Sequence, residues 1–305
     1  MNTKFFALAA LALSLAACTN DNEAIDNSPV AARINAEISN TVTTRASGTQ
    51  WATYDQIGVS TIAGTGTYYN NVCYEWNGSS FTTPSENAIY FQTPESVTFR
   101  AYYPFTGTAG ESAGVLTGVS TGSENQTAEN RPLIDFLYAT GATADTHHPT
   151  IDFTDNTKDN GRDCSFHHCM SQITLTFEAG SGVSFTAVKP VSYTLSGLTL
   201  TGSFDTETGI AKADENTQAA NLTMGLGGAL TSSVILFPQT ITSIDLTVNF
   251  NDNDYNATLT VPDGALKSGN NYTWTVTVRN KDLSVGKAEI SDWNPVNGGN
   301  VNADL

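Results

Sequence analysis

A short run of cysteine and histidine residues is the part of this sequence whose residue types most invite metal chemistry. Cys164, His167, His168 and Cys169 lie close together, and thiolate and imidazole are the ligands that zinc prefers. Along a single strand, however, adjacent side chains point to opposite faces, and the two cysteines would lie about 16 Å apart. The spacing therefore argues against a metal site, unless a turn interrupts the strand or the histidines at 147–148 join the cluster. We expect neither a metal nor a cofactor.

Two serine motifs could in principle carry nucleophilic chemistry. Residues 118–122 match G-x-S-x-G around Ser120, but a polar run follows where that motif requires a helix. Ser284 and Lys287 match S-x-x-K without the motifs that accompany it in enzymes. We therefore predict no catalytic residue, although the paired carboxylates of a glycosidase cannot be recognised in one sequence and that class stays open.

The N-terminus indicates export and lipidation. Lys4 precedes an apolar run over residues 5–15, which is too short to span a bilayer and typical of a signal peptide. The run ends in Leu-Ala-Ala followed by Cys18, the pattern of a bacterial lipobox, so residues 1–17 would be removed and Cys18 would carry the acyl chains. The alternative is an ordinary signal peptide with an incidental cysteine.

Composition and charge exclude one class of partner. The net charge is −17 and the isoelectric point is near 4.3, so the chain has no excess of cations to neutralise phosphates, and we expect no nucleic-acid partner. Only 14% of the residues are charged, while 10% are aromatic. This balance is unusual for a cytosolic helical enzyme and typical of a secreted protein rich in β-structure.

Alternation of apolar and polar residues with period two is the main structural signal along the chain. Apolar residues recur at every second position in several short runs, whereas no sustained helical period follows the signal peptide. Short strands separated by turn residues predict an all-β fold of antiparallel sandwiches. The alternating runs lie near residues 34–42, 72–76, 97–103, 173–177, 191–195, 244–250, 255–261 and 272–278, with a final, weaker run at 283–290.

The length of the chain suggests two sandwiches in tandem. We place the boundary near residue 180, within about 15 residues, which gives an N-terminal domain over 46–180 and a C-terminal domain over 181–305. Residues 18–45 would form a tether and a first strand. Residues 111–130 and 155–163 read as polar loops.

A series of short sequence blocks resembles the fimbrillin family of Bacteroidetes lipoproteins, the Mfa-like group. The resemblance runs from about Arg45 to Trp293, with the lipobox in addition, and its specificity comes from the order and spacing of the blocks. The blocks are TRASG at 44–48, Trp51, DQIGV at 55–59, FRAYYP at 99–104, DFLYATG at 135–141, FHHCMSQI at 166–173, FDTETG at 204–209, LFP at 236–238, LKSGNNYTW at 266–274 and ISDW at 290–293.

The resemblance implies two transthyretin-like β-sandwiches in a component of a type V pilus. In polymerising members of the family, the lipoprotein precursor reaches the outer membrane and a trypsin-like protease cuts it after an arginine. The cut removes the first strand, and a C-terminal strand of the next pilin subunit fills the groove. The resemblance also identifies His168 as a recurrent structural histidine, which agrees with the argument against a metal site.

Residues around Arg45 allow this mechanism. Ile34, Ala36 and Ile38 alternate just before it, so that removing them would expose an apolar groove open to an added strand. Arg45 and Ala46 lie in a stretch of small polar residues, which is typical of a site that a protease can cleave. The alternative is that Arg45 is an ordinary linker residue. The segment 294–305 has few apolar anchors, so it could be a donor strand or a frayed end.

Three classes of function remain open from the sequence. The first is a pilus subunit, or an accessory or tip adhesin, anchored in the outer membrane or built into a fimbrium. The second is a monomeric surface lipoprotein that binds a glycan or a host or bacterial surface protein, with Trp51 or Trp76 as candidate contacts; the alternative is that both are core residues. The third is an enzyme, which no motif supports.

Overall fold

The computed structural model of the chain describes residues 28–39, 50–63, 68–84, 87–186, 189–279 and 282–293. Their regular secondary structure consists almost entirely of strands, which confirms the prediction of an all-β fold of two sandwiches. Among them, no helix is long and apolar enough to cross a membrane.

The strands up to residue 168 are β1 (Val30–Ala31), β2 (Arg33–Ala36), β3 (Gln56–Ala63), β4 (Val72–Trp76), β5 (Phe81–Thr82), β6 (Tyr90–Phe91), β7 (Val97–Tyr103), β8 (Val115–Ser120), β9 (Leu137–Ala144), β10 (Thr150–Phe153), β11 (Asp155–Asn156), β12 (Arg162–Asp163) and β13 (His167–His168). The later strands are β14 (Ser171–Ala179), β15 (Ser192–Leu198), β16 (Thr201–Asp205), β17 (Ile210–Ala213), β18 (Ala220–Gly225), β19 (Thr231–Leu236), β20 (Gln239–Thr240), β21 (Ser243–Phe250), β22 (Asn253–Thr260), β23 (Ala265–Leu266), β24 (Asn270–Val278), β25 (Leu283–Val285) and β26 (Glu289–Asp292). The helical turns are α1 (Thr157–Asn160) and three 3-10 turns at Ser123–Asn125, Arg131–Leu133 and Pro262–Gly264.

The first sandwich is built from one eight-stranded sheet in the order β10-β2-β5-β4-β3-β7-β9-β13. The strands are antiparallel to their neighbours except β2 and β10, which run parallel. The sheet curls so that its two ends approach each other. Ile38, just after β2, forms a bridge with Phe166, just before β13. Inside it lies a continuous apolar core in which Phe99 and Phe153 are fully buried. Burial of these side chains is the main force that holds the curled sheet closed.

The second sandwich packs two sheets face to face, as predicted from the alternation. One sheet has the order β19-β14-β24-β25, with β26 also paired to β24, and the other has the order β18-β15-β21-β22. β21 and β22 form an antiparallel hairpin, and its turn residues Asn251 and Asp252 have φ values of 52° and 60°. Asparagine and aspartate tolerate this left-handed backbone better than other residues with a side chain, which favours the tight turn.

A third, small sheet joins the two sandwiches. Its order is β17-β16-β8, so one strand from the first half of the chain extends a pair of strands from the second half. The prediction of a polar loop over residues 111–130 is therefore wrong for β8. Gly118, with a φ of 69°, lies where the β8–β16 register shifts, and this bulge interrupts the alternation that would have revealed the strand.

The segment around the cysteine and histidine cluster is not one continuous strand. β13 pairs with β9 in the first sandwich, whereas β14 pairs with β19 and β24 in the second, so the chain changes sheets at residues 169–170. This change comes before the predicted boundary near residue 180, and the division into 46–180 and 181–305 stays a prediction. Residues 155–163 form the small unit β11-α1-β12 instead of a loop without regular structure.

Candidate functional site

The candidate site is the position that residues 28–39, here called the leading segment, occupy in the first sandwich. β1 pairs with β6, and β2 lies between β10, to which it is parallel, and β5, to which it is antiparallel. The pairing continues beyond β2, because Glu37 N–H donates to Phe153 O at 3.0 Å and Ser39 N–H donates to Phe166 O at 2.8 Å. We call the space that this segment fills, bounded by β5, β10 and Phe166, the slot. Emptying the slot would leave rows of backbone donors and acceptors without partners.

The side chains of the leading segment that face inward complete the apolar core. Ile34 is 7% exposed and lies between its strand partners Ile151 and Phe81, while Ile38 is 5% exposed and bridges to Phe166. Burying an isoleucine side chain stabilises a fold by about 1.5–3 kcal/mol. Loss of the segment would therefore open an apolar groove in the first sandwich.

Polar side chains of the same segment pair with the neighbouring strand and the residues that follow it. Asn35 Nδ2–H donates to Asp152 Oδ1 at 2.9 Å, and Glu37 Oε1 accepts from Asp155 N–H at 2.6 Å. Asn35 and Asp152 are direct partners in the parallel ladder, so this contact depends on the register of β2 against β10. A strand in the slot is thus contacted on both faces: apolar pockets bind its inward side chains, and polar partners bind its outward side chains.

Trp51, which follows the leading segment by 12 residues in the sequence, contacts it directly. Its indole Nε1–H donates to the backbone oxygen of Ala36 at 2.9 Å. Its ring packs edge-on against Phe81, Tyr103 and Phe166, with centroid distances of 5.2, 5.7 and 5.1 Å. The sequence left open whether Trp51 is a surface contact or a core residue, and no local pattern could have shown that it bonds to Ala36.

A half-buried carboxylate supports the turn that precedes β3 and carries Trp51. Asp55 accepts a hydrogen bond from Ala52 N–H at 2.7 Å and another from the Tyr103 hydroxyl at 3.0 Å. Burial raises the pKa of Asp55, and burial together with the Asp55 charge raises the pKa of Tyr103. The phenol therefore stays protonated and remains a donor to the carboxylate at physiological pH.

The residues predicted for lipidation and processing fall outside the described part of the chain. Cys18, Arg45 and Ala46 all lie there, as does the predicted donor segment 294–305. The described residues nearest to Arg45 are Ser39, which ends the leading segment, and Gln50, just before Trp51. Lipidation at Cys18 and cleavage after Arg45 therefore stay predictions.

The histidines of the candidate metal cluster are engaged in contacts within the protein. His168 is buried, its Nδ1 lies 2.8 Å from Asp135 Oδ1, and its ring stacks on Trp293 with centroids 4.4 Å apart. His167 is exposed and its Nε2 lies 3.2 Å from Asp163 Oδ2. Within the described ranges, no group of three or more His, Cys, Asp and Glu residues is placed to hold a metal ion.

The cysteines are buried as free thiols rather than assembled as ligands. Cys73, Cys164 and Cys169 are each in the reduced form and buried. Burial raises the pKa of Cys73 to about 11 and also raises that of Cys169, so both remain thiols at neutral pH. A protonated thiol is a poor nucleophile and a poor metal ligand.

A cleft of about 640 Å³ lies where the leading segment meets the end of the described chain. Glu37 and Ser39 line it on one side, and Asp292 and Trp293 line it on another. Ser39 and Trp293, each the last residue of a described range, therefore both line this cleft.

The other residues singled out from the sequence take structural positions. Ser120 lies at the end of β8, and its hydroxyl donates to Glu124 Oε1 at 3.0 Å in a 3-10 turn, not before the helix that a nucleophile motif needs. Ser284 lies in β25, within the final run, which is divided into β25 and β26 on either side of Gly286. Trp76 is half-buried at the end of β4 and packs on Phe81.

Comparisons with known proteins agree with this architecture. A sequence profile described as fimbrillin-like matches residues 44–293. The crystal structure of a proposed cell adhesion protein from Bacteroides ovatus aligns with 31% identity and a TM-score of 0.73, covering 88% of this chain and 100% of its own. A proposed cell adhesion protein from Bacteroides uniformis aligns with 21% identity and a TM-score of 0.67, again over 88% and 100% of the two chains, which shows a shared fold. No curated protein matches the sequence.

Proposed function

Because the chain belongs to the fimbrillin-like family, we propose that it is a fimbrial subunit, or an accessory or tip adhesin, that assembles by strand exchange after cleavage following Arg45. Membership of the family supports a fimbrial or adhesive role at the cell surface and no enzymatic one. One observation carries the mechanism: the leading segment, directly upstream of Arg45, is a paired and buried part of the first sandwich.

Export and anchoring form the first step of the proposal. The signal sequence leads the chain out of the cytoplasm, and acylation of Cys18 anchors the precursor in the outer membrane. Residues 19–27 then form a polar tether, and the anchored precursor holds its own leading segment in the slot. In this state the edges of β5 and β10 are covered and the protein is a monomer.

Cleavage after Arg45 is the second step. It separates the leading segment covalently from Trp51 and everything that follows, so that only non-covalent contacts retain the strand. These contacts include the ladder with β10 and the bond from Trp51 to Ala36, all of which a strand of similar shape can replace. The freed slot then accepts a strand from another pilin subunit, and the polymer leaves the lipid anchor behind.

The N-terminus and mass of protein sheared from expressing cells test this function. We expect a chain that begins at Ala46 and runs as a ladder in SDS without heating, and a single uncut band for Arg45→Ala. An acylated Cys18 at the N-terminus of a monomer in the wild-type protein would contradict assembly. That result would favour instead a monomeric outer-membrane lipoprotein that binds a glycan or a host protein.

A further inference from the structure

The second sandwich has a sheet edge without a neighbouring strand, formed by β19. This strand is the last in its sheet and pairs on one side only, with β14. Its sequence, Thr-Ser-Ser-Val-Ile-Leu, contains no charged residue and no proline. Charged residues and proline are the usual means by which a protein keeps an exposed strand edge from pairing with another molecule. The outer edge of β19 therefore depends on other groups to close it.

Two side chains from the loop at residues 121–136, which joins β8 to β9, bind this edge in place of a strand. Gln126 Nε2–H₂ donates to Ile235 O at 2.8 Å, and Gln126 Oε1 accepts from Ile235 N–H at 2.9 Å. These are the two hydrogen bonds that a residue exchanges with its partner in an antiparallel ladder. Arg131 Nη2–H donates to Ser233 O at 2.8 Å, two residues along the strand and on the same edge. We call Gln126 and Arg131 the edge cap.

The edge cap is held in place by further contacts of the loop. Gln126 is 2% exposed and also donates to Thr121 O at 2.8 Å, while Arg131 Nη2–H donates to Gln126 O at 3.0 Å. Thr121 is fully buried, and its N–H donates to Leu200 O at 2.7 Å. The 3-10 turn at Ser123–Asn125 contacts β18, the edge strand of the opposite sheet. The loop thus covers one whole side of the second sandwich.

The hydrogen bonds between this loop and β19 all come from the edge cap. Within residues 121–136 and 231–236, all of which the structure describes, no backbone group of the loop bonds to the strand. Without the two side chains, the N–H and C=O of Ile235 and the C=O of Ser233 would lose their partners. Buried backbone groups without partners are unfavourable, so the loop would then be displaced by anything that can pair with them.

We propose that the edge cap is an autoinhibitory contact, which prevents two copies of this chain from joining edge to edge through β19. The net charge of −17 disfavours association of copies, but β19 itself adds no charge to this repulsion. Two identical strands related by a twofold axis can pair antiparallel, and each then satisfies the free backbone groups of the other. This inference concerns the second sandwich and holds whether or not strand exchange takes place at the slot.

Removal of the edge cap tests the proposal. We expect Gln126→Ala combined with Arg131→Ala, in the uncut Arg45→Ala chain, to lower the dissociation constant of a dimer at least about tenfold, as measured by size exclusion with light scattering. Tyr193→Phe is the control, because it removes the 2.9 Å contact between the Tyr193 hydroxyl and Ser232 Oγ inside the sandwich and leaves the edge cap intact. A folded double variant that associates no more than its parent, or equal association of the control, would overturn the proposal.

Lysine substitutions identify the surface through which the copies join. Thr231 is an exposed residue of β19, and Thr223 is an exposed residue of β18. A lysine on an edge strand disfavours pairing with another strand. In the double variant, Thr231→Lys is therefore expected to restore the monomer, while Thr223→Lys leaves the dimer in place. The reverse result would overturn β19 as the surface that the edge cap protects.

Hydrogen exchange at the Ile235 amide gives a second measurement in a milder variant. Gln126→Leu keeps a side chain of similar volume at this position but removes the acceptor of the Ile235 N–H. We expect this amide to exchange faster than in the parent at low protein concentration. At high concentration it should be protected again, because β19 of a second copy supplies a new acceptor. Fast exchange at every concentration, or exchange equal to that of the parent, would contradict the proposal.

Discussion

The indole Nε1–H of Trp51 donates a hydrogen bond of 2.9 Å to the backbone oxygen of Ala36, and Arg45 lies between these residues in the sequence. The contact therefore joins the two sides of the proposed cleavage site. The acceptor of this hydrogen bond is a backbone oxygen, which any strand in the slot can supply. Under the proposed mechanism, Trp51 would bind the leading segment before cleavage and the strand that replaces it afterwards.

Replacing Trp51 with phenylalanine tests this contact. The variant keeps an aromatic ring against Phe81 and Phe166 but loses the N–H donor, so we expect the uncut Arg45→Ala chain to lose about 0.5–1.5 kcal/mol of unfolding free energy. Chemical denaturation measures this loss. Trp51→Ala removes the ring as well and should cost about 3–5 kcal/mol. Equal stability of the phenylalanine variant and its parent would show that this hydrogen bond does not stabilise the fold.

The buried anchors of the leading segment should contribute more than exposed aliphatic residues of the same type. Ile38 is 5% exposed, so Ile38→Ala is expected to destabilise the uncut chain by about 2–5 kcal/mol. Ile290 is 44% exposed, and Ile290→Ala is a matched control that should stay within about 0.5 kcal/mol. Denaturant unfolding compares the two. A similar small loss from both would mean that the leading segment is not part of the stable core.

The strands that follow a strict alternation could be predicted, because period two survives wherever one face is buried. β21 is such a case, with Ile244, Leu246 and Val248 buried and the residues between them on the other face. β8 was missed because a bulge at Gly118 shifts its phase. The alternation of apolar and polar residues therefore predicts a strand only where the strand pairs in a regular register.

Contacts between distant parts of the chain were beyond the sequence. His168 was expected to be structural from the family resemblance, yet its partners Asp135 and Trp293 lie 33 residues before it and near the end of the described chain. Trp51 likewise contacts Ala36 across an intervening segment. Such pairs depend on how the sheet curls, which no periodicity encodes. The leading strand and its anchors, in contrast, followed directly from alternation before Arg45.

The three cysteines of the described chain should be unreactive until the protein unfolds. Cys73, Cys164 and Cys169 are buried, and with a pKa of about 11 roughly one Cys73 thiol in a thousand is ionised at pH 8. We expect a thiol-specific chromogenic reagent to label none of the three in the folded, uncut Arg45→Ala chain and all three in guanidinium chloride. Fewer than three in the denatured protein would reveal a disulfide, and rapid native labelling would contradict the burial.

The side-chain amide of Gln126 covers part of an edge of the second sandwich, and we expect the stability of the protein to depend on its nitrogen atom. Gln126 is 2% exposed; its Nε2–H₂ donates to the carbonyls of Thr121 and Ile235, each at 2.8 Å, and its Oε1 accepts from Ile235 N–H at 2.9 Å. It thus covers part of the open edge of β19, as a neighbouring strand would. The residue comes from the loop between β8 and β9, so the bond also joins the two halves of the chain.

Gln126→Glu keeps the shape of this side chain and replaces the donor with an oxygen. Both carbonyls would then lose their partner and face a carboxylate, so we expect a loss of at least about 2 kcal/mol at neutral pH. Gln218→Glu makes the same change at an exposed position and should stay within about 0.5 kcal/mol. The variant should regain part of its stability toward pH 4, because the protonated carboxyl group can donate again. Denaturation of both variants across this pH range checks the prediction, and a loss independent of pH would point to packing instead of the missing donor.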